Sequence, residues 1–415
     1  MGYLNFIFKF AKVYFNMKKA LVIITGTVLT IALIQACSKF EPAAPGDDQV
    51  LDGPVSGLTY ADAARHGRGD AAFTGQVFTG TSGLGPVFVA TSCGSCHAGD
   101  GKGHPFTTLT RFGQVDSTGN QFLSQGGPQL QDRALPGYTP EQIPLGATYA
   151  RFMPPTNTGL GFFELVTEAD ILAMSDINDT NGDGIRGIPN WNTIPSFITP
   201  GPNAITRNGR YICRFGKKAS VYNLLQQTVN AYNQDIGITS FFAPNDVYSR
   251  LDIDPEISTT TINDVVFYLQ TLKAPVQRNP NDADIVAGKQ LFININCSGC
   301  HKPELKTGFS PVNALSGKTF APYTDLLLHD MGPGLDDSYT EGNAKTSEWR
   351  TAPLWGLGLA PKSQGGQYFL LHDGRAKSIE EAIEMHGGEA GNSQRAFNSL
   401  NETERQKIIK FLKSL

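Results

Sequence analysis

The chain has 415 residues, which is long enough for two domains, and its 40% hydrophobic and 17% charged residues are typical of a globular protein. Its net charge is -4, and beyond the N-terminus it contains no run of lysine and arginine suited to a phosphate backbone, so we expect no nucleic acid as a partner. Its 45 glycines and 25 prolines predict a body with long loops.

The first 37 residues have the pattern of an export signal. A basic Met17-Lys18-Lys19 precedes an apolar run that ends at Cys37, and the residues before this cysteine resemble a lipoprotein cleavage site. We therefore expect residues 1–37 to be a lipoprotein signal segment, with Cys37 lipidated at the mature N-terminus. A retained membrane helix is the alternative, because about 17 apolar residues reach the lower limit of a spanning helix. The expected location is a bacterial membrane facing the periplasm, with the outer membrane favoured.

Two Cys-x-x-Cys-His motifs, at residues 93–97 and 297–301, carry the strongest chemical signal. The motif is typical of c-type haem attachment, in which two cysteine sulfurs add to the haem vinyl groups and the histidine binds the iron. We predict two covalently bound haems, held by Cys93, Cys96, His97, Cys297, Cys300 and His301. A zinc site, a redox dithiol or a disulfide is the alternative, but two copies in an exported chain favour haem. Cys213 is then expected to be a buried free thiol.

An acidic loop lies between the two haem motifs. Asp179, Asn181 and Asp183, followed by Gly184, have the spacing that opens a calcium loop, because oxygen ligands at alternate positions suit a hard cation. Asn190 occupies the twelfth position, where a complete EF-hand has a bidentate glutamate. Two interpretations stay open: a calcium site completed by other ligands, and a metal-free turn held by Asx side chains.

The chain is predicted to contain two haem domains, joined at a polar, proline-broken segment. The helical pattern of residues 265–272 recurs at residues 408–415, and each copy follows one haem motif, as an internal repeat would. Residues 38–57 are rich in Pro, Gly, Ala and Asp and predict a flexible tether. We assign an N-terminal haem domain to residues 58–274 and a C-terminal haem domain to residues 275–415.

Helical periodicity dominates both halves. Residues 284–295 have apolar residues at helical spacing directly before the second haem motif, and an apolar stripe at residues 221–232 favours core packing over cofactor binding. Ser378 and Asn401, each followed three residues later by glutamate, have the capping-box spacing that begins a helix. Strand signals are sparse. The predicted fold class is therefore mainly α, with two cytochrome-c-like haem domains and long irregular loops.

Several multi-residue motifs, in order along the chain, resemble those of the bacterial di-haem oxidoreductase family. They occupy residues 160–164, 176–190, 214–219, 235–239, 328–332, 349–358, 371–376 and 381–390. This family is similar to the di-haem cytochrome c peroxidases and to the maturation enzyme of methylamine dehydrogenase. The resemblance implies that the N-terminal haem reacts with peroxide, that the C-terminal haem passes electrons to it, and that calcium lies between the domains.

The resemblance also implies iron ligands. His97 would be the proximal ligand of the peroxide-reacting haem. His301 would hold the second haem with Met331 as its sixth ligand, a pair that raises the reduction potential. Three residues are alternatives to Met331: His329, Tyr339 and His386. Each of these histidines is equally well interpreted as a hydrogen-bonding residue near a haem propionate.

Peroxide cleavage needs a group that takes a proton from one peroxide oxygen and returns it to the other. Glu164, in the first haem domain, is the predicted catalytic residue, with a plain surface carboxylate as the alternative and His104 as a second choice. Arg350 and Arg375 lie within family motifs and are expected to pair with haem propionates through bidentate contacts.

The predicted function is that of a periplasmic di-haem c-type cytochrome acting as a peroxidase. It would reduce hydrogen peroxide, or a similar small oxidant, with electrons passed from the C-terminal to the N-terminal haem. The expected partners are a small electron-donor protein, either a cytochrome c or a cupredoxin, and the membrane that holds the lipid anchor. Two alternatives stay open: a non-catalytic di-haem electron carrier, with both irons six-coordinate, and a protein-modifying haem oxidase.

Overall fold

The computed structural model describes residue 46, residues 50–116 and residues 119–415. From Asp47 to Leu415 the chain forms one compact unit. The predicted signal segment with Cys37, and residues 38–45 and 47–49 of the predicted tether, lie outside the described residues. Within the described residues, no helix is both long enough and apolar enough to cross a membrane.

The helices are short and are distributed along the chain. Before residue 275 they are α1 (Tyr60–Gly75), α2 (Leu160–Glu164), α3 (Glu168–Ala173), α4 (Leu224–Asp235) and α5 (Thr259–Thr271). After it they are α6 (Ala283–Asn294), α7 (Ala360–Ser363), α8 (Ile379–Glu384), α9 (Gly391–Ser399) and α10 (Glu402–Ser414). Each haem motif begins in a 3-10 turn, Cys93–Ser95 in the first and Cys297–Gly299 in the second.

Short antiparallel strands connect the helices, and they are more frequent than the sequence predicts. The pairs are β1 (Val87–Phe88) with β3 (Arg133–Ala134), β2 (Leu109–Gly113) with β4 (Thr148–Phe152), β8 (Leu305–Lys306) with β9 (Thr319–Phe320), and β10 (Leu328–Asp330) with β11 (Glu348–Arg350). A three-stranded sheet has the order β5 (Asn190–Asn192), β7 (Arg210–Cys213), β6 (Thr206–Arg207). The fold is therefore mixed and helix-rich. The sequence does not predict these strands, because strands this short leave no alternating pattern in it.

Two helix pairs, α1 with α5 and α6 with α10, repeat one packing arrangement. Gly69 of α1 lies so close to α5 that an added Cβ would stand 2.1 Å from the Asp264 carbonyl oxygen. Gly288 of α6 meets α10 in the same way, 2.1 Å from the Lys407 carbonyl oxygen. Only glycine permits this approach of two helix backbones. The repeated patterns at residues 265–272 and 408–415 therefore belong to helices that pack equivalently.

The helix starts follow the predicted capping residues. Ser378 accepts a hydrogen bond from the Glu381 N–H at the start of α8, as predicted. Helix α6, which the sequence predicts at residues 284–295, runs directly into the second haem motif. Asn401 and Glu404 form the reciprocal capping box that the sequence indicates for α10. These local signals place two helices of the second half correctly.

The apolar core crosses the predicted domain boundary. Phe163 of α2 packs on Trp355 and Phe320, with ring centroids 4.7 and 6.1 Å apart, so residues from both halves share the largest cluster. A second cluster fills the space between α6, α8 and α10. The division into two haem domains stays a prediction.

The last part of the predicted tether is packed. The Val55 N–H donates to the Thr271 carbonyl oxygen at 2.8 Å, and Lys273 N–H donates to the Gly53 carbonyl oxygen at 3.0 Å. Leu51 is buried. Residues 51–55 of the predicted tether are therefore part of the body and are not flexible linker.

Candidate haem-binding site

One cavity of about 450 Å³ brings both Cys-x-x-Cys-His motifs together. All the predicted attaching residues line it: Cys93, Cys96, His97, Cys297, Cys300 and His301. The wall between them is formed by residues 152–157, by one face of α4 and by residues 349–357. Cavities of this size, with a mainly apolar wall and a few polar groups, are typical of cofactor sites.

The motif sulfurs are suited to thioether bonds rather than to thiolate chemistry. Burial raises the pKa of Cys93 and Cys297 to about 12 and that of Cys96 to about 11, so these thiols stay neutral. Every cysteine in the described part of the chain is free of disulfides. The described part of the chain also contains no group of three or more His, Cys, Asp or Glu side chains arranged to hold a metal ion. Cys213 is the buried free thiol that was predicted.

His97 and His301 present neutral imidazole rings to the cavity. Burial lowers the pKa of each to about 4, which keeps the ring in the form that binds iron. His301 Nδ1 lies 2.9 Å from the Tyr323 carbonyl oxygen, which places the proton on Nδ1 and leaves Nε2 for a metal. The Pro155 carbonyl lies close enough to His97 to raise its pKa, but within the described chain no hydrogen bond reaches His97 Nδ1.

Buried cations on the cavity wall fit the two carboxylates that a haem carries. Burial lowers the pKa of Lys102 to about 8 and that of Arg350 to about 10. Burial, together with the charges of Lys102 and Arg350, lowers the pKa of Lys217 well below its ordinary value. Three like charges this close are costly, and a bound dianion would relieve the cost. Arg350 thus lies where the sequence predicts a propionate partner.

Polar atoms without partners on the same wall also fit a bound cofactor. Among the described residues, Thr351 Oγ1, Trp355 Nε1 and Arg214 Nε are buried without a hydrogen-bond partner, and all three residues line the cavity. The donors, the cations and the neutral imidazoles together match what a haem needs. The residues present therefore fit two covalently attached haems.

Arg375 lies apart from this wall. Its guanidinium binds Asp337 at 2.9 Å and Asp373 at 2.7 Å, which occupies its fork of donors. It is not among the described residues that line the cavity. The structure brings Arg350, and not Arg375, to the predicted haem site.

Two of the candidates for the sixth iron ligand, Met331 and His386, line the cavity. Their segments touch, since a Cβ added to Gly387 would stand 2.9 Å from the Met331 carbonyl oxygen. His386 Nδ1 donates to the Ala382 carbonyl oxygen at 2.6 Å, and burial lowers its pKa, so its Nε2 is an unprotonated nitrogen. His386 also acts electrostatically on His301. The assignment of Met331 stays a prediction, with His386 as its rival.

The other two candidates have their polar atoms engaged, although His329 also lines the cavity and its Nδ1 lies 3.4 Å from Cys300 Sγ. His329 Nε2 lies 2.8 Å from Asp325 and its Nδ1 lies 2.7 Å from Glu389. Although burial opposes the charged form, the two carboxylates raise the pKa of His329 well above its ordinary value, so both nitrogens carry protons. Tyr339 packs on Phe152 and is not among the described residues that line the cavity.

Glu164 supports a helix rather than the cavity. Its Oε1 accepts the Leu224 N–H of α4 at 2.8 Å, and its Oε2 accepts the Gln270 amide at 2.6 Å. A carboxylate at a helix N-terminus is stabilised by the helix dipole. Neither Glu164 nor His104, whose Nδ1 accepts the Phe106 N–H at 3.2 Å, is among the described residues that line the cavity.

The acidic loop is closed by its own backbone. Asp179 Oδ1 accepts the Gly184 N–H at 3.1 Å, Asn181 Oδ1 accepts the Asp183 N–H at 2.9 Å, and Asp183 Oδ1 accepts the Ile185 N–H at 2.8 Å. These are Asx turns, as in the metal-free interpretation. A calcium ion held by Asp179, Asn181 and Asp183 stays a prediction.

The apolar stripe at residues 221–232 packs in the core, as predicted, and part of it also faces the cavity. Val221, Leu224, Val229 and Tyr232 belong to the largest apolar cluster, while Leu224, Thr228 and Tyr232 line the cavity wall. Asp235, the last residue of α4, also lines the cavity and is half-buried. A helix face that packs on a cofactor is as apolar as one that packs on protein, so periodicity does not distinguish the two.

A family model described as "Di-haem oxidoreductase, putative peroxidase" matches residues 147–415. The chain belongs to this family. The match contains the second haem motif, while the first motif precedes it. Family membership confirms the resemblance read from the sequence and makes the chain a di-haem oxidoreductase, which implies two haems.

Two solved structures resemble this di-haem oxidoreductase distantly. Hydrazine synthase of Kuenenia stuttgartiensis has a TM-score of 0.39 and 13% identity, over 91% of this chain and 94% of that chain. A MauG-like protein associated with microbial copper homeostasis has a TM-score of 0.41 and 14% identity, over 91% of this chain and 95% of that chain. A comparison with curated protein sequences gives no match.

Proposed function

We propose that this di-haem oxidoreductase reduces hydrogen peroxide to water beside the haem attached at Cys93 and Cys96, with electrons that arrive through the haem attached at Cys297 and Cys300. The balance is one peroxide, two electrons and two protons to two waters. Haem supplies an iron that changes its oxidation state by one electron and binds small oxygen species. The residues around each motif determine which of the two haems reacts with peroxide.

The observation that carries the proposal is a chemical difference between the two motifs. The Asp235 main chain binds the Val89 and Ala90 N–H groups just before the first motif, and its carboxylate lines the cavity with Cys93 and Cys96. Near the second motif the carboxylates of Asp325 and Glu389 are paired with His329. His386, which lines the cavity with His301 and uses its Nδ1 for the Ala382 carbonyl oxygen, would offer Nε2 for the sixth position there. An iron with two strong ligands suits electron transfer, whereas peroxide needs an open position and a proton acceptor.

The remaining parts of the proposal concern partners and location. A small cytochrome c or cupredoxin would supply electrons singly, which matches a haem that accepts them one at a time. An export signal ending at Cys37 would place the protein at the periplasmic face of a bacterial membrane, where such donors are found. A lipid on Cys37 would hold it there.

The assignment of the two haems is tested with single-haem variants made in a host that attaches c-type haem. C297A/C300A retains the first haem and C93A/C96A retains the second. We expect the absorption spectrum of ferric C297A/C300A to change on addition of hydrogen peroxide, and that of C93A/C96A to stay unchanged. Wild-type protein should turn over with a reduced small cytochrome, and each variant should lose most of that turnover.

Haem content and circular dichroism of each variant establish that it is folded. A peroxide response in C93A/C96A alone would reverse the assignment. A wild-type spectrum that does not respond to peroxide in any oxidation state would identify an electron carrier and contradict the proposal.

A further inference from the structure

Asp235 is fixed beside the first haem motif by both its backbone and its side chain. Its carbonyl oxygen accepts the Val89 and Ala90 N–H groups at 2.7 and 3.0 Å, which ties the end of α4 to the segment that leads to the motif. The Gln129 amide donates to its carboxylate. Gln129 is 3% exposed, and both side chains line the cavity.

Arg111 places a positive charge near Asp235 and Gln129. It lines the same cavity, and its charge acts on Asp235. Its Nη2 lies 2.8 Å from Glu341 Oε1, whereas its Nε is buried with no hydrogen-bond partner in the described part of the chain. A buried guanidinium with an unused donor is suited to an anionic or strongly polar ligand in the cavity.

The position of Asp235 is unfavourable for folding. It is the last residue of α4, where the helix dipole is negative and repels a carboxylate. Burial adds to this cost and raises the pKa of Asp235 to about 6. Glu164, at the opposite end of the same helix, has the favourable position. A carboxylate at the C-terminal end of α4, where it destabilises the fold, is better explained by a role in proton transfer than by a role in stability.

We propose that Asp235, held by Gln129 and assisted by Arg111, is the proton-transfer group for ligands that bind at the first haem. The inference deepens the proposed function and rests on it for the identity of the ligand. The charged and titratable groups around Asp235 are Arg111, with Glu341 and Tyr339 behind it, and the sulfurs of Cys93 and Cys96. The two sulfurs no longer titrate once they are thioethers.

The peroxide oxygen nearest the first haem loses its proton to the Asp235 carboxylate, which then gives that proton to the second oxygen. The second oxygen leaves as water with the electron pair of the broken O–O bond. The remaining oxygen becomes water with two electrons from the haems, replenished by the donor protein, and two protons from solvent. Arg111 stabilises the negative charge that develops on the peroxide.

The test compares D235N with D254N, in which an exposed carboxylate that is not among the described residues lining the cavity is changed in the same way. Both are made as holoprotein, and haem content is measured first. In stopped-flow absorption at pH 7 we expect D235N to react with hydrogen peroxide about 100-fold more slowly, or slower still, because general acid–base groups contribute at least this much. D254N should keep the wild-type rate.

The pH profile is a second readout. The carboxylate acts as a base only when ionised, so the wild-type rate should rise as pH increases through about 6. D235N should lose this rise, and D235E should restore part of it. A D235N protein with the wild-type rate and the wild-type profile would overturn the assignment.

Cyanide separates this inference from the proposed function. Hydrogen cyanide must lose its proton on binding to ferric haem, so D235N should bind cyanide at least 10-fold more slowly, without any turnover. If peroxide gives no response in wild type but cyanide binding is slowed in D235N, the peroxidase proposal fails and Asp235 stands. Unchanged cyanide kinetics in D235N would contradict the role of Asp235 whatever peroxide does.

Discussion

Two arginines from family motifs, Arg350 and Arg375, have different surroundings in the folded protein. Arg350 faces the cavity, whereas Arg375 is occupied by Asp337 and Asp373. Both lie in family motifs, and the sequence does not distinguish them because Asp337 is remote from Arg375 in the chain. The haem motifs are different, since five consecutive residues contain the whole attachment signal and no fold is needed to recognise it.

Glu164 is expected to be a stabilising residue. In E164A the Leu224 N–H and the Gln270 amide lose their acceptor beneath the surface, which costs about 1–3 kcal/mol of unfolding free energy. Urea unfolding of the holoprotein measures this loss. The control is E304A, where an exposed carboxylate is removed and stability should stay the same.

A different result would support a catalytic role for Glu164. If E164A unfolds like wild type but no longer reacts with peroxide, the catalytic role predicted from the sequence is correct. The sequence favoured Glu164 because it lies in the Gly-Phe-Phe-Glu stretch of a family motif. It does not show that this stretch reaches the N-terminus of α4, a contact between residues 60 positions apart.

Secondary-structure elements were predictable where their signals are local. The starts of α8 and α10 follow from Ser378 and Asn401, because a cap acts within one turn. The short strands were not predictable, since pairs such as β10 with β11 depend on distant backbone and not on side-chain pattern. The fold class was therefore right in its helices and incomplete in its strands.

The packing of α1 on α5 gives a prediction with a control in the same helix. G69A should lower the unfolding free energy by roughly 1–3 kcal/mol, because a methyl group would meet the Asp264 carbonyl oxygen and push the helices apart. G67A should raise it by about 0.5–1 kcal/mol, because Gly67 is exposed, has open space around it and gains helix propensity.

Chemical unfolding of both variants measures the difference. Equal effects of G69A and G67A, in either direction, would contradict the close approach of α1 and α5. Gly288 offers the same experiment in the second half, since its added Cβ would meet the Lys407 carbonyl oxygen of α10.

The whole molecule is organised around a cavity that both motifs share. The sequence predicts two haems and two related units, but it does not predict that residues from both halves build one wall and one apolar core. Contacts such as those of Ala90 with Asp235, or of Phe163 with Trp355, join remote segments. They follow from the folded topology, which periodicity and motif spacing do not specify.

The central claim is that four cysteines hold two haems in this cavity. Mass spectrometry of the mature protein, made in a host that attaches c-type haem, tests it most directly. We predict the mass of the polypeptide plus two haems for wild type, and plus one haem for C93A/C96A and for C297A/C300A. A mature wild-type chain without the added haem mass, in a host that loads a control cytochrome c, would contradict the account.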